Sequence, residues 1–310
     1  MPQPTATRDI LYEAARGRAV LTLNRPGKRN ALSAALLREM NEALWEADND
    51  KTVHSVILRG AGKSFCAGYD ITPAPPAAGN SSGGGEDRVY RSGGLYSNPT
   101  IDDDIWRLEA GQRLRMALFD MHKPVIAQVH GHCLAGGTDI ALLCDMIIAA
   151  DDAIVGFPPA RDLGSLPNQM WLYNCGPQWA KRLLLTGDTV TGAEAAQIGL
   201  FMKAVPAAHL EAEVEGLASR MAKIDPDLLA ANKRIVNLGL ELMGARTLQR
   251  LAAENDARAH LAPGTAKFRQ IAKEKGLKAA LAGRDAEFGD GRARVNGPEI
   301  RDDKGYLIDE

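Results

Sequence analysis

Apolar residues in the first two-thirds of the chain follow two patterns that alternate along the sequence. After Ser33, a candidate helix N-cap residue, and again from 105 to 121, they recur at the spacing of a helix. Short continuous apolar runs, which are typical of buried strands, lie at 19–23, 53–59, 125–129 and 146–150. Strands that alternate with helices indicate an α/β fold. We therefore predict an α/β core over residues 1–205.

The rest of the chain has a different pattern. Residues 206–283 are helical almost throughout, with breaks near Pro226, Gly244 and Pro263. An all-helical region after an α/β core predicts an appendage that packs on the core or on a neighbouring subunit. Residues 284–310 are polar and rich in glycine, which predicts a tail that is ordered only where it docks.

The α/β core is interrupted by a stretch of low apolar content at about 73–99. It begins PAPPAAGNSSGGG and cannot bury enough apolar area to fold on its own. We predict a flexible insertion here. It is either a flap over a binding pocket or a plain surface loop.

Composition excludes several classes of function. The chain has 310 residues, a formal net charge of −2 and a pI near 6.3, so it has no electrostatic footprint for nucleic acid. No apolar run approaches the length of a membrane span, and the N-terminus lacks the pattern of a secretory signal. The four cysteines, which show no CxxC pairing, are expected to be reduced, buried thiols. We expect a cytoplasmic protein with no nucleic-acid partner, no membrane span and no metal site.

Candidate chemistry centres on residues 130–145, HGHCLAGGTDIALLCD, where a predicted strand turns into a helix beside Gly136 and Gly137. A glycine at the first turn of a helix lets a ligand approach the free N–H groups, which are suitable donors for a developing oxyanion. The alternative is a glycine required only for tight packing of helix on strand. The residue after Gly68 is a candidate second donor, although an ordinary turn explains that segment equally well.

Several blocks occur in an order that resembles the crotonase (enoyl-CoA hydratase/isomerase) superfamily. The resemblance is close from about 20 to 204 and extends by pattern into the helical region. The blocks are NRPGKRNAL at 24–32, FCAGYDI at 65–71, GHCLAGG at 131–137, LLCD at 142–145, and LLTG to GL from 184 to 200.

This resemblance implies a crotonase-like spiral of ββα units with a C-terminal helical region that forms trimers, often paired into hexamers. It implies a coenzyme A thioester as substrate and no permanently bound cofactor. By motif position, the thioester oxygen accepts hydrogen bonds from the N–H groups of Tyr69 and Gly136. Lys28 falls where the family contacts coenzyme A, and Ala67 and Ile71 would contact it through backbone atoms.

Hydratases of this family use two glutamates as acid and base. The first position falls on Asp139, which is one methylene shorter, and the second falls on Pro159, or on Ala160 if the alignment shifts by one. Neither of the latter can transfer a proton. Asp139 then acts alone, or Asp162 supplies the second carboxylate. Both residues also have a structural alternative. Asp162 would form a salt bridge or stabilise a turn, and Asp139 would be a negative charge stabilised at the N-terminus of a helix.

The resemblance therefore predicts an acyl-CoA enzyme that hydrates an enoyl-CoA or shifts its double bond through a thioester enolate. The missing second carboxylate leaves two alternatives open. One is a hydrolase or C–C lyase of the same superfamily, since all of these reactions use the enolate. The other is a non-catalytic protein that binds acyl-CoA.

Overall fold

The computed structural model describes residues 8–72 and 100–308, and the predicted insertion at 73–99 lies outside them. The described residues form nine strands and ten helices. The strands are β1 (Ile10–Ala15), β2 (Arg18–Leu23), β3 (Ser55–Gly60), β4 (Val125–Val129), β5 (His132–Leu134), β6 (Met146–Ala150), β7 (Ile154–Gly156), β8 (Thr189–Thr191) and β9 (Lys203–Val205). The helices are α1 (Ala34–Asn49), α2 (Ile101–Asp120), α3 (Gly136–Leu142), α4 (Trp171–Thr186), α5 (Gly192–Gln197), α6 (Leu210–Met221), α7 (Pro226–Leu242), α8 (Ala245–Ala259), α9 (Pro263–Lys275) and α10 (Leu277–Asp285).

The strands form two sheets. The larger has the order β1-β2-β3-β4-β6-β9 and is parallel except for the β1–β2 pair, and the smaller has the order β5-β7-β8. The chain repeatedly passes through a strand of the large sheet, then an extended segment at the small sheet, then a helix. Isolated bridges between Cys66 and Cys133 and between Leu32 and Tyr69 continue the small sheet into the earlier units. This confirms the spiral of ββα units.

The central strands of the large sheet are buried on both faces, which is why they read as continuous apolar runs rather than alternating ones. Ala127 of β4, for example, pairs with Leu58 of β3 on one side and with Ile147 of β6 on the other. The predicted N-cap is present, since the Leu36 N–H donates to the Ser33 Oγ at 3.1 Å. The strands β1, β5, β7, β8 and β9 were not predicted, because each is short or half-polar.

Pro177 favours the first turn of a helix, and α4, which begins at Trp171, is broken just before this proline. Gly176, with φ 71° and ψ 173°, interrupts the helix immediately before the proline. Pro177 therefore begins the second part of a broken helix, where its missing N–H costs nothing.

The C-terminal helices α7, α8 and α9 begin at the predicted breaks, and a further break at Gly276 separates α9 from α10. Lys233 of α7 is only 8% exposed, and its Nζ lies 2.9 Å from Asp145 Oδ2. The same ammonium donates to the carbonyls of Leu118 and Lys123. A buried cation with three acceptors anchors α7 to the α/β core.

The polar tail docks on the core. The Thr189 N–H donates to the Gly291 carbonyl, and the Ala293 N–H donates to the Thr189 carbonyl, both at 2.8 Å. The Arg161 guanidinium lies 3.9 Å from the centre of the Phe288 ring and pairs with Asp285. No helix among the described residues is both long and apolar enough to span a membrane.

We predict that Lys233→Met destabilises the protein by about 1–3 kcal/mol, because it removes the cation beside the Asp145 carboxylate and leaves two backbone carbonyls without their donor. The midpoint of urea unfolding measures the loss. Lys267→Met, at an exposed position of α9, is the matched control and should change stability by less than about 0.5 kcal/mol. Equal midpoints for the two variants would contradict the anchoring role of Lys233.

Candidate active site

Two extended segments, 64–69 and 130–136, run side by side at the centre of the molecule. The Cys66 N–H donates to the His132 carbonyl at 2.9 Å, and the Leu134 N–H donates to the Cys66 carbonyl at 3.0 Å. A Cβ on Gly137 would lie 2.4 Å from the Cys66 carbonyl oxygen, so only glycine fits there. Gly137 is therefore required for tight packing of the helix on the neighbouring segment, which was one of the two alternatives for the glycines at 136 and 137.

The same apposition brings together the two predicted oxyanion donors. A Cβ on Gly68 would lie 3.7 Å from the Gly136 nitrogen, so the two backbones nearly touch. The Leu32 N–H donates to the Gly68 carbonyl, and the Asp70 N–H donates to the Leu32 carbonyl. The Tyr69 N–H, which lies between these two bonds, therefore faces away from Leu32. Within residues 8–72 and 100–308, neither the Tyr69 N–H nor the Gly136 N–H donates a hydrogen bond. Both donors are available to a ligand.

The residue before Gly136 has a strained backbone. Ala135 adopts φ 50° and ψ −117°, a conformation that costs a non-glycine residue about 1–3 kcal/mol. Its own N–H is held by the Gly156 carbonyl of β7 at 3.0 Å. The turn between β5 and α3 is thus fixed from the small sheet, and it sets the direction of the Gly136 N–H.

Asp139 lies in the first turn of α3 and is 2% exposed. Its Oδ2 accepts a hydrogen bond from the Tyr69 hydroxyl, whereas its Oδ1 is buried and has no partner among the described residues. Burial raises the pKa of Asp139 to about 7, against the opposing effects of the Arg115 charge and the Tyr69 hydrogen bond. A carboxyl group with such a pKa is suited to both giving and taking a proton near neutral pH.

Charges from two distant helices surround this carboxyl group. Arg115 of α2 is 2% exposed, donates from Nε to the Asn168 Oδ1 at 2.6 Å, and lies 5.3 Å from the centre of the Tyr69 ring. Asp256 of α8 is buried, and its charge further raises the pKa of Asp139. The C-terminal helical region therefore contributes to the electrostatics of the site.

Asp256 belongs to a buried polar cluster between α2 and α8. Its Oδ1 accepts from the Ser165 N–H at 2.8 Å, and His260 lies between it and Asp104, with Nδ1 2.6 Å from the Asp104 Oδ2. Burial raises the pKa of Asp256 to about 6, while His260 opposes the shift. Asp104 lies in the acidic first turn of α2, but its side chain is buried.

Asp162 has different neighbours. It follows a 3-10 turn, Pro158–Arg161, that contains both candidate positions for the second glutamate. Burial raises the pKa of Asp162 to about 6, and the charges that modify this shift are Arg284, Asp285 and Arg161. Asp162 is not among the groups that shift the pKa of Asp139. The charged groups that act on Asp162 therefore differ from those that act on Asp139.

The salt bridge considered for Asp162 is also absent from the described residues. Arg161 pairs instead with Asp188 at 3.0 Å and with Asp285 at 2.8 Å. Because these two carboxylates satisfy the guanidinium, Asp162 keeps a buried Oδ1 with no hydrogen-bond partner among those residues. Its function is not explained by a structural ion pair.

The predicted coenzyme A residues lie on two adjoining segments. Lys28 is exposed, and its Nζ lies 3.3 Å from the Thr72 Oγ1, so its loop adjoins the segment that carries Ala67 and Ile71. Ile71 packs against a small apolar cluster that includes Phe268 of α9. Within the described ranges, no group of three or more His, Cys, Asp or Glu side chains is arranged to hold a metal ion.

Three features of the site were not predicted from the sequence: the Tyr69 side chain, Arg115 and Asp256. A signal existed for Arg115, because it falls on the same face of α2 as the buried residues Leu108 and Gln112. A charged residue at a core position of a helix marks a buried interaction. No comparable local signal links Asp256 to a carboxylate more than a hundred residues earlier in the chain.

Known proteins resemble this chain over most of its length. The chain matches the family model described as enoyl-CoA hydratase/isomerase over residues 13–82 and 83–291. It is 32% identical over 292 residues to a probable enoyl-CoA hydratase of Rhizobium meliloti, covering 90% of this chain and 97% of that protein. It is 34% identical over 227 residues to a probable mitochondrial enoyl-CoA hydratase of Dictyostelium discoideum, covering 72% and 73% respectively.

Solved structures of similar proteins superpose on most of the chain. An enoyl-CoA hydratase from Mycobacterium smegmatis superposes with a TM-score of 0.82 at 32% identity, covering 93% of this chain and 97% of that one. An enoyl-CoA hydratase/isomerase from Xanthobacter autotrophicus Py2 gives a TM-score of 0.78 at 35% identity, covering 90% and 98%.

We predict that Asp139→Asn stabilises the folded protein more at high pH than at low pH. The folded-state pKa of about 7 lies above the ordinary value of 3.8. The native state therefore binds more protons than the unfolded state between these values, and wild-type stability falls as pH rises through this window. The uncharged amide avoids this cost. Thermal unfolding at about pH 5 and about pH 8.5 should show the variant gaining on the order of 2 kcal/mol over wild type at the higher pH.

Asp152→Asn, at an exposed aspartate, is the matched control and should show no such pH-dependent gain. An Asp139→Asn variant whose stability relative to wild type is the same at both pH values would mean that Asp139 is not buried with a raised pKa.

Proposed function

Because the chain belongs to the enoyl-CoA hydratase/isomerase family, we propose that it adds water across, or moves, the double bond of an enoyl-CoA thioester through an enolate. The observation that supports this mechanism is the placement of a buried carboxylate with one free oxygen, Asp139, beside the two free N–H groups of Tyr69 and Gly136. A donor for the oxyanion and a group that moves a proton are the two requirements of enolate chemistry.

In this proposal the Tyr69 and Gly136 N–H groups bind the thioester oxygen. Negative charge develops on that oxygen when the enolate forms, so the two hydrogen bonds strengthen in the transition state. One such donor typically contributes about 3–4 kcal/mol. The strained turn at Ala135 holds the Gly136 N–H in place before substrate arrives, so its orientation costs nothing during the reaction.

Asp139 is the proposed acid and base. The Oδ1 atom is the oxygen left free for substrate, and the raised pKa of about 7 makes both protonation states available at neutral pH. The proposed catalytic residues are thus Tyr69 and Gly136, through their backbones, and Asp139. Asp162 remains the candidate for a second carboxylate, to be tested directly.

The missing second glutamate favours double-bond isomerisation as the second candidate reaction. Pro159 and Ala160 occupy the 3-10 turn where the family has that glutamate, and neither side chain ionises. In an isomerisation, Asp139 takes a proton from one carbon, the electron pair of the broken C–H bond enters the enolate, and the same proton returns to another carbon. One carboxyl group is sufficient for this sequence.

The coenzyme A end of the substrate is proposed to contact Lys28 and the backbone at Ala67 and Ile71. The exposed ammonium of Lys28 suits a phosphate of coenzyme A, and no permanently bound cofactor is required. The four cysteines are buried thiols without a disulfide, which fits the proposed cytoplasmic location.

We also propose a homotrimer, or a dimer of trimers. Support comes from an exposed apolar surface on α7 and the residue after it, since large exposed apolar areas mark protein interfaces. The surface comprises Leu228, Ile235, Val236, Leu238, Leu242 and Met243, which are between 42% and 91% exposed. Association of subunits through this surface would remove it from water.

We expect Asp139→Asn to lower turnover of a short-chain 2-enoyl-CoA or 3-enoyl-CoA by about 10²- to 10⁴-fold, the usual contribution of an acid/base group. Loss of the enoyl absorbance measures hydration, and conversion between the two enoyl isomers measures isomerisation. Binding of a saturated acyl-CoA, measured by calorimetry, should remain within about threefold of wild type, because the oxyanion donors are backbone groups.

Asp162→Asn is the matched variant for this assay and should keep most of the activity, since its charged neighbours are Arg161, Arg284 and Asp285. A loss as large as that of Asp139→Asn would instead make Asp162 the second carboxylate. Release of free coenzyme A without loss of the double bond would identify a hydrolase. If the wild-type protein binds acyl-CoA and turns over neither enoyl isomer, the enzymatic proposal is wrong.

Light scattering of the wild-type protein should give a mass of about 100 kDa for a trimer, three times the 33.3 kDa chain, or twice that for a dimer of trimers. Leu242→Glu, at the most exposed position of the α7 surface, should shift the protein towards smaller species. Leu11→Glu, at an exposed position on the edge strand β1, is the control and should not. A monomeric wild-type protein at working concentration would disprove the proposed assembly.

A further inference from the structure

The Tyr69 side chain is part of the same site as its backbone N–H. Its hydroxyl donates a hydrogen bond to the Asp139 Oδ2. Its ring lies over the start of α3, since a Cβ on Gly136 would lie 3.0 Å from two of the ring carbons. The Arg115 guanidinium is 5.3 Å from the ring centre. The ring is therefore held by packing, and the direction of its hydroxyl is defined.

The two carboxylate oxygens of Asp139 have different surroundings. Oδ2 accepts from the phenol, while Oδ1 is buried and has no hydrogen-bond partner in the part of the chain that the structure describes. A buried polar atom without a partner is costly and calls for an explanation. A reacting substrate atom at Oδ1 would supply the missing partner.

We propose that Tyr69 is a positioning residue. Its hydroxyl holds Oδ2 of Asp139 and so presents Oδ1 as the atom that exchanges a proton with substrate. This inference rests on the proposed function, in which Asp139 is the acid and base. Tyr69 then has two roles in one residue. Its backbone N–H binds the thioester oxygen, and its phenol orients the group that moves the proton.

The proton step is balanced without any further reactant. When Oδ1 takes a proton from a substrate carbon, the electron pair of the broken C–H bond moves into the enolate, whose oxygen is held by Tyr69 and Gly136. The proton then returns from Oδ1 to substrate. Tyr69 keeps its own proton throughout, because burial raises its pKa well above the ordinary value of 10 and the phenol stays neutral.

The phenol also affects when Asp139 ionises. A hydrogen bond to the charged form of a carboxyl group lowers its pKa. The other groups that face Asp139 are the Arg115 cation on α2, the Asp256 carboxyl group on α8, and the thiols of Cys66 and Cys133 on the adjoining strand segments. Burial raises the pKa of both thiols, so they are uncharged at neutral pH. Removal of the phenol hydroxyl should therefore raise the pKa of Asp139.

Tyr69→Phe tests the role, because it keeps the ring and the backbone N–H and removes only the hydroxyl. We expect kcat to fall about 10- to 100-fold with KM nearly unchanged, as for a misdirected catalytic group. We expect the acidic limb of the kcat/KM profile to move to higher pH by about one unit. Tyr173→Phe, which removes a hydroxyl bonded to the Met243 carbonyl, is the matched control and should change neither.

A readout in the resting enzyme separates this role from a merely structural one. In protein labelled with ¹³C at the aspartate carboxyl carbon, the signal of Asp139 is assigned by its absence in Asp139→Asn. Its titration should move to higher pH in Tyr69→Phe. If Tyr69→Phe folds poorly, replacement of Tyr69 by 3-fluorotyrosine provides a second test, because the more acidic phenol is a stronger donor and should move the titration to lower pH.

The outcomes distinguish an error in the proposed function from an error in the proposed role of Tyr69. If the titration moves but Asp139→Asn is fully active, the error lies in the proposed function and not in the coupling of Tyr69 to Asp139. If Asp139→Asn is inactive while Tyr69→Phe moves neither the titration nor the acidic limb, the positioning role is overturned and the proposed function stands. A lowered melting temperature in Tyr69→Phe without these shifts also overturns it.

Discussion

The close parallel contact between the segments 64–69 and 130–137 is the constraint on which the rest of the site depends. Backbone hydrogen bonds between Cys66 and its neighbours His132 and Leu134 hold the two segments together. The contact is possible because Gly137 has no side chain to collide with the Cys66 carbonyl. It places the N–H groups of Tyr69 and Gly136 together and directs the first turn of α3, with Asp139, towards the Tyr69 ring.

Burial then gives these groups their chemical character. A carboxyl group in water is ionised at neutral pH, but burial raises the pKa of Asp139 to about 7. The Arg115 cation and the Tyr69 hydroxyl limit that rise, while Asp256 adds to it. Because these contributions come from α2, the segment after β3, and α8, the site is complete only when the C-terminal helices have packed onto the α/β core. The ion pair between the buried Lys233 ammonium and Asp145, which anchors α7, helps to hold that packing in place.

Much of the fold could be predicted from local patterns. Continuous apolar runs identified the central strands, Ser33 identified the start of α1, and Pro226 and Pro263 identified the starts of α7 and α9. The short edge strands were missed, because three-residue strands such as β5 and β8 carry too little pattern. The first part of α4, from Trp171 to the break at Gly176, was not predicted, whereas Pro177 begins the second part, as a proline in a first helical turn does.

For the site, local sequence was enough to identify the glycines at the close backbone contact and the acid beside them: Gly68, Gly136, Gly137 and Asp139 are all recognisable within short blocks. A turn and a close backbone contact are specified by neighbouring residues, so they leave a local signature. The surroundings of Asp139 depend on long-range packing. The Tyr69 hydroxyl, Arg115 and Asp256 reach it from distant parts of the chain, and the charges around Asp162 come from Arg284 and Asp285 near the C-terminus. The pKa of a buried group is a sum over whatever surrounds it in space, and that sum has no counterpart in the order of residues along the chain.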